Sequence, residues 1–372
     1  MKILLFAGTR PEAIKVAPVA QVLRNTPGME TMLVSSGQHR EMLHQAFADF
    51  GLKPDIDLSV MTPGQTLASL TARLFDAVDA LLADQRPDCV LVQGDTTTVF
   101  VAATCAFYRG IPFGHIEAGL RSHRLDAPFP EEFNRRTAGI MARWHFAPTS
   151  IARDNLLAER VPDNLIHVTG NTVIDALLWM KAHGGATEET LPESVRQQLA
   201  MGKRLLLVTG HRRENFGGGF LDICKAVREL ADAYDDLCIV YPVHLNPNVL
   251  TPVHEQLGGH PGILLIEPLA YKPFSALMNA SHIVLTDSGG VQEEAPGLGK
   301  PVLVMREVTE RPEGVTAGTA RLVGTDVKKI TDAVSRLLDS PQAYAEMAQA
   351  VNPYGDGHAA ERIRDILLEQ TI

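Results

Sequence analysis

A chain of 372 residues is too long for one ordinary core and suits two domains of about 150 to 200 residues each. Its 45% hydrophobic and 21% charged residues are the balance of a soluble globular protein, and no apolar run reaches the roughly 18 residues that a membrane span needs. A formal net charge of −10 argues against a nucleic-acid partner, which needs a basic footprint, but leaves room for a local cationic pocket holding one anion. Cys89, Cys105, Cys224 and Cys238 form no close-spaced pair and sit in apolar contexts, as expected in a reducing, cytoplasmic compartment.

From the N-terminus, residues 3–7 predict an apolar strand, 8–10 (Gly-Thr-Arg) a turn, and Pro11 opens a helix to about residue 25. The apolar start ends in that turn rather than in a small-residue cleavage site, so it reads as strand one. Residues 32–35 predict a second strand and 41–50 a helix. A longer helix at 65–84 carries Leu67, Leu70, Leu74, Val78 and Leu81. Strands at 89–92 and 112–116 each run into an acid, Asp95 and Glu117. Helices at 131–141 and 150–157 and strands at 145–147 and 166–169 follow, and the first domain is expected to end near Gly170.

The polar stretch 181–203 reads as the approach to a second core. Residues 204–214 (RLLLVTGHRRE) align without a gap to 2–12 (KILLFAGTRPE), pairing Gly8 with Gly210, Arg10 with Arg212 and Glu12 with Glu214. Such an internal echo predicts one architecture used twice. Strands at 238–240, 263–266, 283–285 and 302–305 complete a second sheet. The tail, 356–370, sets Ile363, Ile366 and Leu367 on one helical face that would pack against a core. Alternating strands and helices predict an α/β chain with parallel sheets and right-handed crossovers, in which ligands bind beyond the carboxyl ends of the strands.

Residues 286–299 (TDSGGVQEEAPGLG) concentrate ligand-binding signals. Ser288, Gly289 and Gly290 would let the backbone approach a ligand, and a helix from Val291 onward would aim free N–H groups and its positive dipole end above the strand. A phosphate suits that place, and one of Glu293 and Glu294 could accept hydrogen bonds from a ribose diol. The plain alternative is a tight turn with surface acids. Arg10 and Lys15 flank the opening of the first helix, while His211, Arg212, Arg213 and Arg311 lie after strands or in turns, and they could meet across a cleft to hold a diphosphate; solvated surface charge is the alternative for any one of them.

Asp95 could serve chemistry or cap the helix begun at 96–98. Glu117 follows a buried strand, where desolvation would fit it for proton transfer near neutrality, though a structural hydrogen bond would look the same. Glu131 is the third acid to separate from the acidic surface. His211 and His244 follow apolar strands, but no HExxH or comparable spacing supports a metal. GxGxxG after a strand and GxxxxGK[ST] are both absent, which removes the sequence case for a dinucleotide cofactor or a P-loop.

With these segments assembled, the chain resembles the non-hydrolysing UDP-N-acetylglucosamine 2-epimerases of bacteria almost end to end. The resemblance runs through GTRPEAIKVAP (8–18), GQHREML (37–43), GDTTT (94–98), HIEAGLR (115–121) and PEEFNRR (130–136). It continues through TGNTVIDAL (169–177), GHRREN (210–215), YPVHLNP (241–247), TDSGGVQEEAP (286–296) and TERPEG (309–314). It implies two Rossmann-like domains in the GT-B arrangement, 1–170 plus 356–372 and 171–355, with the last helix crossing back and the active site in the interdomain cleft. It further implies a cytoplasmic homodimer acting without cofactor or obligatory metal.

The implied reaction inverts C2 of UDP-GlcNAc to give UDP-ManNAc, through elimination of UDP to a 2-acetamidoglucal and re-addition, supplying ManNAc-type sugars for cell-surface polysaccharide. By matching motifs, the resemblance gives Asp95, Glu117, Glu131 and His211 to proton transfer and charge stabilisation, with base and acid unassigned. Arg10, Lys15, His211, Arg311 and Ser288-Gly289-Gly290 would grip the diphosphate, Glu294 the ribose, and the 269–274 loop, from Leu269 to Phe274, the uracil. Some relatives bind a second UDP-GlcNAc as activator, and Gln38, Glu131, Arg212 and His244 match positions used there, whereas Glu41 and Gly64 depart from activated relatives. A hydrolysing epimerase, a retaining glycosyltransferase of the same architecture and a nucleotide-sugar sensor are the competing functions.

Overall fold

The protein's structure, a computed structural model, describes residues 1–37, 40–62, 64–184, 187–212, 215 and 217–369. It forms two compact units, Met1–Ala176 with Tyr354–Ile372, and Leu177–Pro353.

The first unit runs β1 (Lys2–Ala7), α1 (Arg10–Arg24), β2 (Glu30–Ser35), α2 (Arg40–Asp49), β3 (Ile56–Asp57), α3 (Leu67–Gln85) and β4 (Cys89–Gln93). It continues with α4 (Thr97–Tyr108), β5 (Phe113–Ile116), α5 (Glu131–Met141), β6 (Trp144–Ala147), α6 (Ser150–Ala158), β7 (Ile166–Val168) and the start of α7 (Thr172–Ala182). Its strands pair in parallel in the order β3-β2-β1-β4-β5-β6-β7. Residues 3–7 of β1 and 89–92 of β4 are fully buried, because helices cover both faces of a parallel sheet and favour continuous apolar strands. Helix α4 is apolar nearly all round (TTVFVAATCAFY), and Val99, Val101, Ala102, Ala103, Cys105 and Ala106 join the core that α3 and the sheet build.

The second unit holds α8 (Glu193–Ala200), β8 (Arg204–Thr209), α9 (Gly218–Ala233), β9 (Leu237–Pro242), α10 (Pro247–Leu257), β10 (Ile263–Ile266) and α11 (Tyr271–Ala280). After these come β11 (Ile283–Thr286), α12 (Gly289–Gly297), β12 (Val302–Val304), α13 (Pro312–Ala317), β13 (Ala320–Leu322), α14 (Val327–Asp339) and α15 (Pro341–Ala348). The strand order is β10-β9-β8-β11-β12-β13, again parallel. Helix α14 shows why such helices form: Ile330, Ala333, Val334, Leu337 and Leu338 repeat at helical spacing and are buried, and the Asp326 carboxylate caps the start by accepting from Lys329 N at 2.9 Å.

The echo between residues 2–12 and 204–214 is a shared architecture. Strands β1 and β8 occupy aligned positions, and each stands where the order of its sheet reverses, against β4 in one unit and β11 in the other. That reversal is the switch point where open α/β sheets bind ligands. The units differ just beyond it: α1 begins three residues after β1, whereas α9 begins only at Gly218. Glu214, the third partner of the echo, and Arg213 lie outside the described residues.

The last helix, α16 (Ala359–Glu369), packs on α1 of the first unit, burying Ile363 and Leu367 and half-burying Ile366. Asp175 accepts from Ala360 N at 2.8 Å and Arg362 donates to the backbone carbonyl Thr169 O at 2.9 Å, so the helix start is held by groups 185 and 193 residues away in sequence. All four cysteines are buried and free, and burial pushes their thiols up, Cys89 and Cys224 to about 12 and Cys105 and Cys238 to about 11. Among the described residues no helix is long and apolar enough to cross a membrane.

Candidate functional site

In the first unit the site grows from the turns after β1, β4 and β5. Glu12, in the first turn of α1, is 3% exposed and reaches back to accept from Gly8 N at 2.7 Å and Thr9 N at 2.8 Å, while its other oxygen accepts from the Thr96 hydroxyl at 2.6 Å. Sequence reading saw Glu12 only as an echo of Glu214. The available signal was the capping box Thr9-x-x-Glu12. Burial pushes the Glu12 carboxyl up to about 7, against the opposing pull of Thr96, Gly8 and Thr9 and with a smaller push from Asp95.

A folded value of about 7 lies above the ordinary 4.5, so between those values the folded chain keeps a proton that the unfolded chain has released. The resulting stability is fully present below pH 4.5 and is lost as pH rises to about 7. At about 1.4 kcal/mol per pH unit this amounts to about 3 kcal/mol. Urea unfolding is therefore expected to show the wild-type chain losing about 3 kcal/mol relative to Glu12→Gln across that pH window. A difference independent of pH would contradict the burial argument.

Glu117 follows β5 with φ +67°, a region that residues other than glycine rarely enter. Glu117 N and Ala118 N both donate to Phe146 O, at 3.0 and 3.1 Å, which holds this kink against β6. The carboxylate, in a residue 9% exposed, receives Lys15 Nζ at 2.5 Å, Asn171 Nδ2 at 2.9 Å and Gln93 Nε2. Those donors come from α1, from the turn after β7 and from the end of β4. Lys15, expected on a diphosphate, here faces Glu117. Strain of this kind persists where the surroundings over-determine it.

Asp95 does not cap α4. The N-cap is Thr96, and the Asp95 carboxylate instead lies 3.5 Å from Arg135 Nη2. Burial pushes Asp95 up, Arg135 opposes most strongly, Glu117 adds, Lys15 opposes and Glu131 adds, which puts these groups in one electrostatic neighbourhood. Arg135 also lies 3.3 Å from Glu132, a fully buried acid that accepts from Ser122 N and His123 N. The adjacent acids thus divide: Glu132 is structural, while Glu131 is half-buried with no side-chain partner among the described residues. Arg135 was missed because nothing in PEEFNRR says which of its arginines turns inward. His115 Nε2 donates to Gly94 O at 2.7 Å, and burial lowers the ring to about 4, so it is neutral near pH 7. Arg10 is half-buried, and its guanidinium has no partner among the described residues.

In the second unit the turn after β8 is organised by Asp287, which is fully buried. It accepts from His211 N and Arg212 N at 2.8 Å each and from Asn215 Nδ2 at 3.4 Å. Asp287 therefore does for β8 what Glu12 does for β1, from the neighbouring strand rather than from the helix. The His211 side chain is 44% exposed, sits 3.6 Å from Asp287 and stacks on His244 with ring centroids 5.2 Å apart. Burial lowers its pKa, Asp287 opposes, and His244 and Arg212 lower it further. His244 is exposed and accepts from Asn246 N at 3.1 Å, and the half-buried Arg212 side chain has no partner among the described residues.

Helix α12 starts two residues before the expected Val291, so Gly289 and Gly290 form its first turn with Ser288 as N-cap. The Arg311 guanidinium lies against Gly289: a Cβ there would stand 3.4 Å from Arg311 Cζ. Arg311 Nε donates to Glu293 at 2.7 Å, and Glu294 accepts from Tyr271 OH at 3.2 Å with its other oxygen near Gly290. The two acids again divide, one anchoring the arginine and the other held by a phenol. Residues 269–274 are not one loop, because α11 begins at Tyr271; Leu269 and Phe274 are half-buried against the core. Gln38 lies outside the described residues, Glu41 is exposed at the start of α2, and Gly64 occupies a turn with φ +70°. Among the described residues no cluster of three or more His, Cys, Asp or Glu could hold a metal ion.

A profile of the family described as UDP-N-acetylglucosamine 2-epimerase matches residues 21–368. The chain is 52% identical over 370 residues to the UDP-N-acetylglucosamine 2-epimerase of Salmonella typhimurium, spanning 99% of this chain and 98% of that one. It is 50% identical over 379 residues to the enzyme of the same description in Escherichia coli K12, spanning both chains fully. The crystal structure of UDP-GlcNAc 2-epimerase from Neisseria meningitidis bound to UDP-GlcNAc superposes with a TM-score of 0.87 at 45% identity, covering all of both chains.

Proposed function

The chain belongs to the UDP-N-acetylglucosamine 2-epimerase family, and from that premise we propose that it converts UDP-GlcNAc to UDP-ManNAc without releasing the sugar. The reading gives the UDP to the second unit, where the expected domain was 171–355, and the sugar to the first, where it was 1–170 plus 356–372. It takes the enzyme to be a cytoplasmic homodimer supplying ManNAc-type sugars for cell-surface polysaccharide. The buried free thiols support the compartment, and the family resemblance supports the assembly and the pathway.

The chemistry follows from the substrate. C2–H is not adjacent to a carbonyl, so the proton leaves only as the C1–O bond breaks: the C–H pair becomes the C1=C2 bond and UDP departs with the C1–O pair. Returning a proton to the opposite face of C2 while UDP re-attacks C1 gives the inverted sugar. A reaction of two proton transfers on two faces needs more than one acid–base group. The observation that carries the reading is the meeting of Asp95 and Glu117, at two strand ends, with Glu131, at the start of α5, in one electrostatic neighbourhood. An acid raised by burial, as Asp95 is, holds its proton closer to neutrality, while Glu117 is met by three donors, the environment of an accepting carboxylate.

UDP leaves more easily when its developing charge is met by fixed donors. Arg10, Lys15, His211, Arg311 and the first turn of α12 at Ser288, Gly289 and Gly290 are assigned to the diphosphate. Glu294 is assigned to the ribose, and Leu269 and Phe274 to the uracil. Activation by a second UDP-GlcNAc at Gln38, Glu131, Arg212 and His244 has its own signature, a sigmoid dependence of initial rate on UDP-GlcNAc; a hyperbola from the lowest concentrations removes it. The main reading is tested by incubating the enzyme with UDP-GlcNAc and separating the products. A mixture of UDP-GlcNAc and UDP-ManNAc without accumulating UDP is expected, whereas free ManNAc with UDP would mark a hydrolysing enzyme.

A further inference from the structure

A carboxylate taken out of water costs several kcal/mol unless its partners compensate. Glu12 is such a group, and neither the sugar chemistry nor the nucleotide grip uses it. Its three hydrogen bonds divide by destination. Gly8 N and Thr9 N belong to the turn that carries Arg10, and Thr96 Oγ1 belongs to the turn that carries Asp95. The main-chain pairing of β1 with β4 ends at Phe6 and Val92, so beyond that point Glu12 joins the two turns through its side chain. Gly94, with φ +88°, lies beside it: a Cβ at that position would stand 3.8 Å from Glu12 Cγ. The Thr96 hydroxyl makes no cap to α4 and bonds Glu12 instead.

We propose that Glu12 and Thr96 are a positioning pair for epimerisation: their bond across the switch point fixes where Asp95 stands relative to Arg10, and neither residue touches the substrate. The inference rests on the epimerase reading above. Misplacing a reacting group by about 1 Å costs on the order of 10²-fold in rate. Binding of UDP alone does not depend on where Asp95 stands.

Thr96→Val keeps the extended, β-branched residue at the start of α4 and removes only the donor to Glu12. Its kcat is expected to fall by about tenfold or more, with KM for UDP-GlcNAc and Kd for UDP both within about twofold of wild type. Thr96→Ser, which restores the hydroxyl, is expected to recover most of the rate, and Thr96→Ala serves where the valine variant does not fold. An unchanged kcat with only a lowered Tm would make the pair structural and overturn the inference. So would a rate loss matched by an equal loss of UDP affinity. A wild-type enzyme that does not epimerise UDP-GlcNAc would sink the underlying reading and this inference with it; normal wild-type turnover with a fully active Thr96→Val would sink the inference alone.

Discussion

Glu117→Gln is expected to bind UDP as the wild type does and to exchange the C2 proton of UDP-GlcNAc with solvent about 10²- to 10⁴-fold more slowly. The amide has nearly the shape of the carboxylate but cannot take a proton. Its NH₂ group would also face donors, since Lys15, Gln93 and Asn171 all point at this side chain. The groups assigned to uracil and ribose belong to the second unit, and Arg10, Arg311 and the start of α12, which we propose for the diphosphate, are left unchanged, so Kd for UDP should stay within about threefold, less than 1 kcal/mol. Heavy-water incubation followed by deuterium analysis at C2, paired with UDP titration calorimetry, separates the two quantities. Wild-type deuterium incorporation in the variant would remove Glu117 from the proton path.

Asp287→Ala is expected to destabilise the protein by about 3 kcal/mol or more, the largest loss among the site substitutions. Alanine leaves His211 N and Arg212 N without their acceptor at a position that is fully buried in the wild type, and Asn215 keeps only its bond to Met305 O. The turn that presents His211 loses its anchor at the same time, so UDP affinity is expected to fall with stability. Asp287→Asn, which retains one oxygen, should lie between the two. Urea unfolding at neutral pH measures the first effect, and a variant as stable as wild type would show that the turn is held by other means.

The parallel strands were legible in the sequence because burial on both faces writes each as an apolar run, and the echo of 2–12 in 204–214 was legible because β1 and β8 solve the same packing problem. β3 escaped notice, being two residues long, and β13 because its three residues, Ala-Arg-Leu, carry an exposed arginine at the centre and so make no apolar run. The start of α12 was misplaced because two glycines read as a turn, whereas both adopt helical backbone in its first turn. The acids at strand ends could be picked out singly, but not their partners. Glu117 is held by residues 102, 24 and 54 positions away, and Asp95 is drawn to Arg135 rather than to the helix start it could have capped. Only the fold brings such residues together, which is also why Glu12 and Asp287, serving the same purpose from different elements, were not seen as a pair.

Bond breaking at C1 is most directly followed with UDP-GlcNAc carrying heavy oxygen in the bridge between C1 and the β-phosphorus. The elimination we propose would free that oxygen at every turnover and let the β-phosphate rotate before re-addition, so the label is expected to spread into the non-bridging positions at a rate comparable with epimerisation. Label that stays in the bridge while UDP-ManNAc accumulates would mean that the C1–O bond never opens, and that C2 is inverted by some other route.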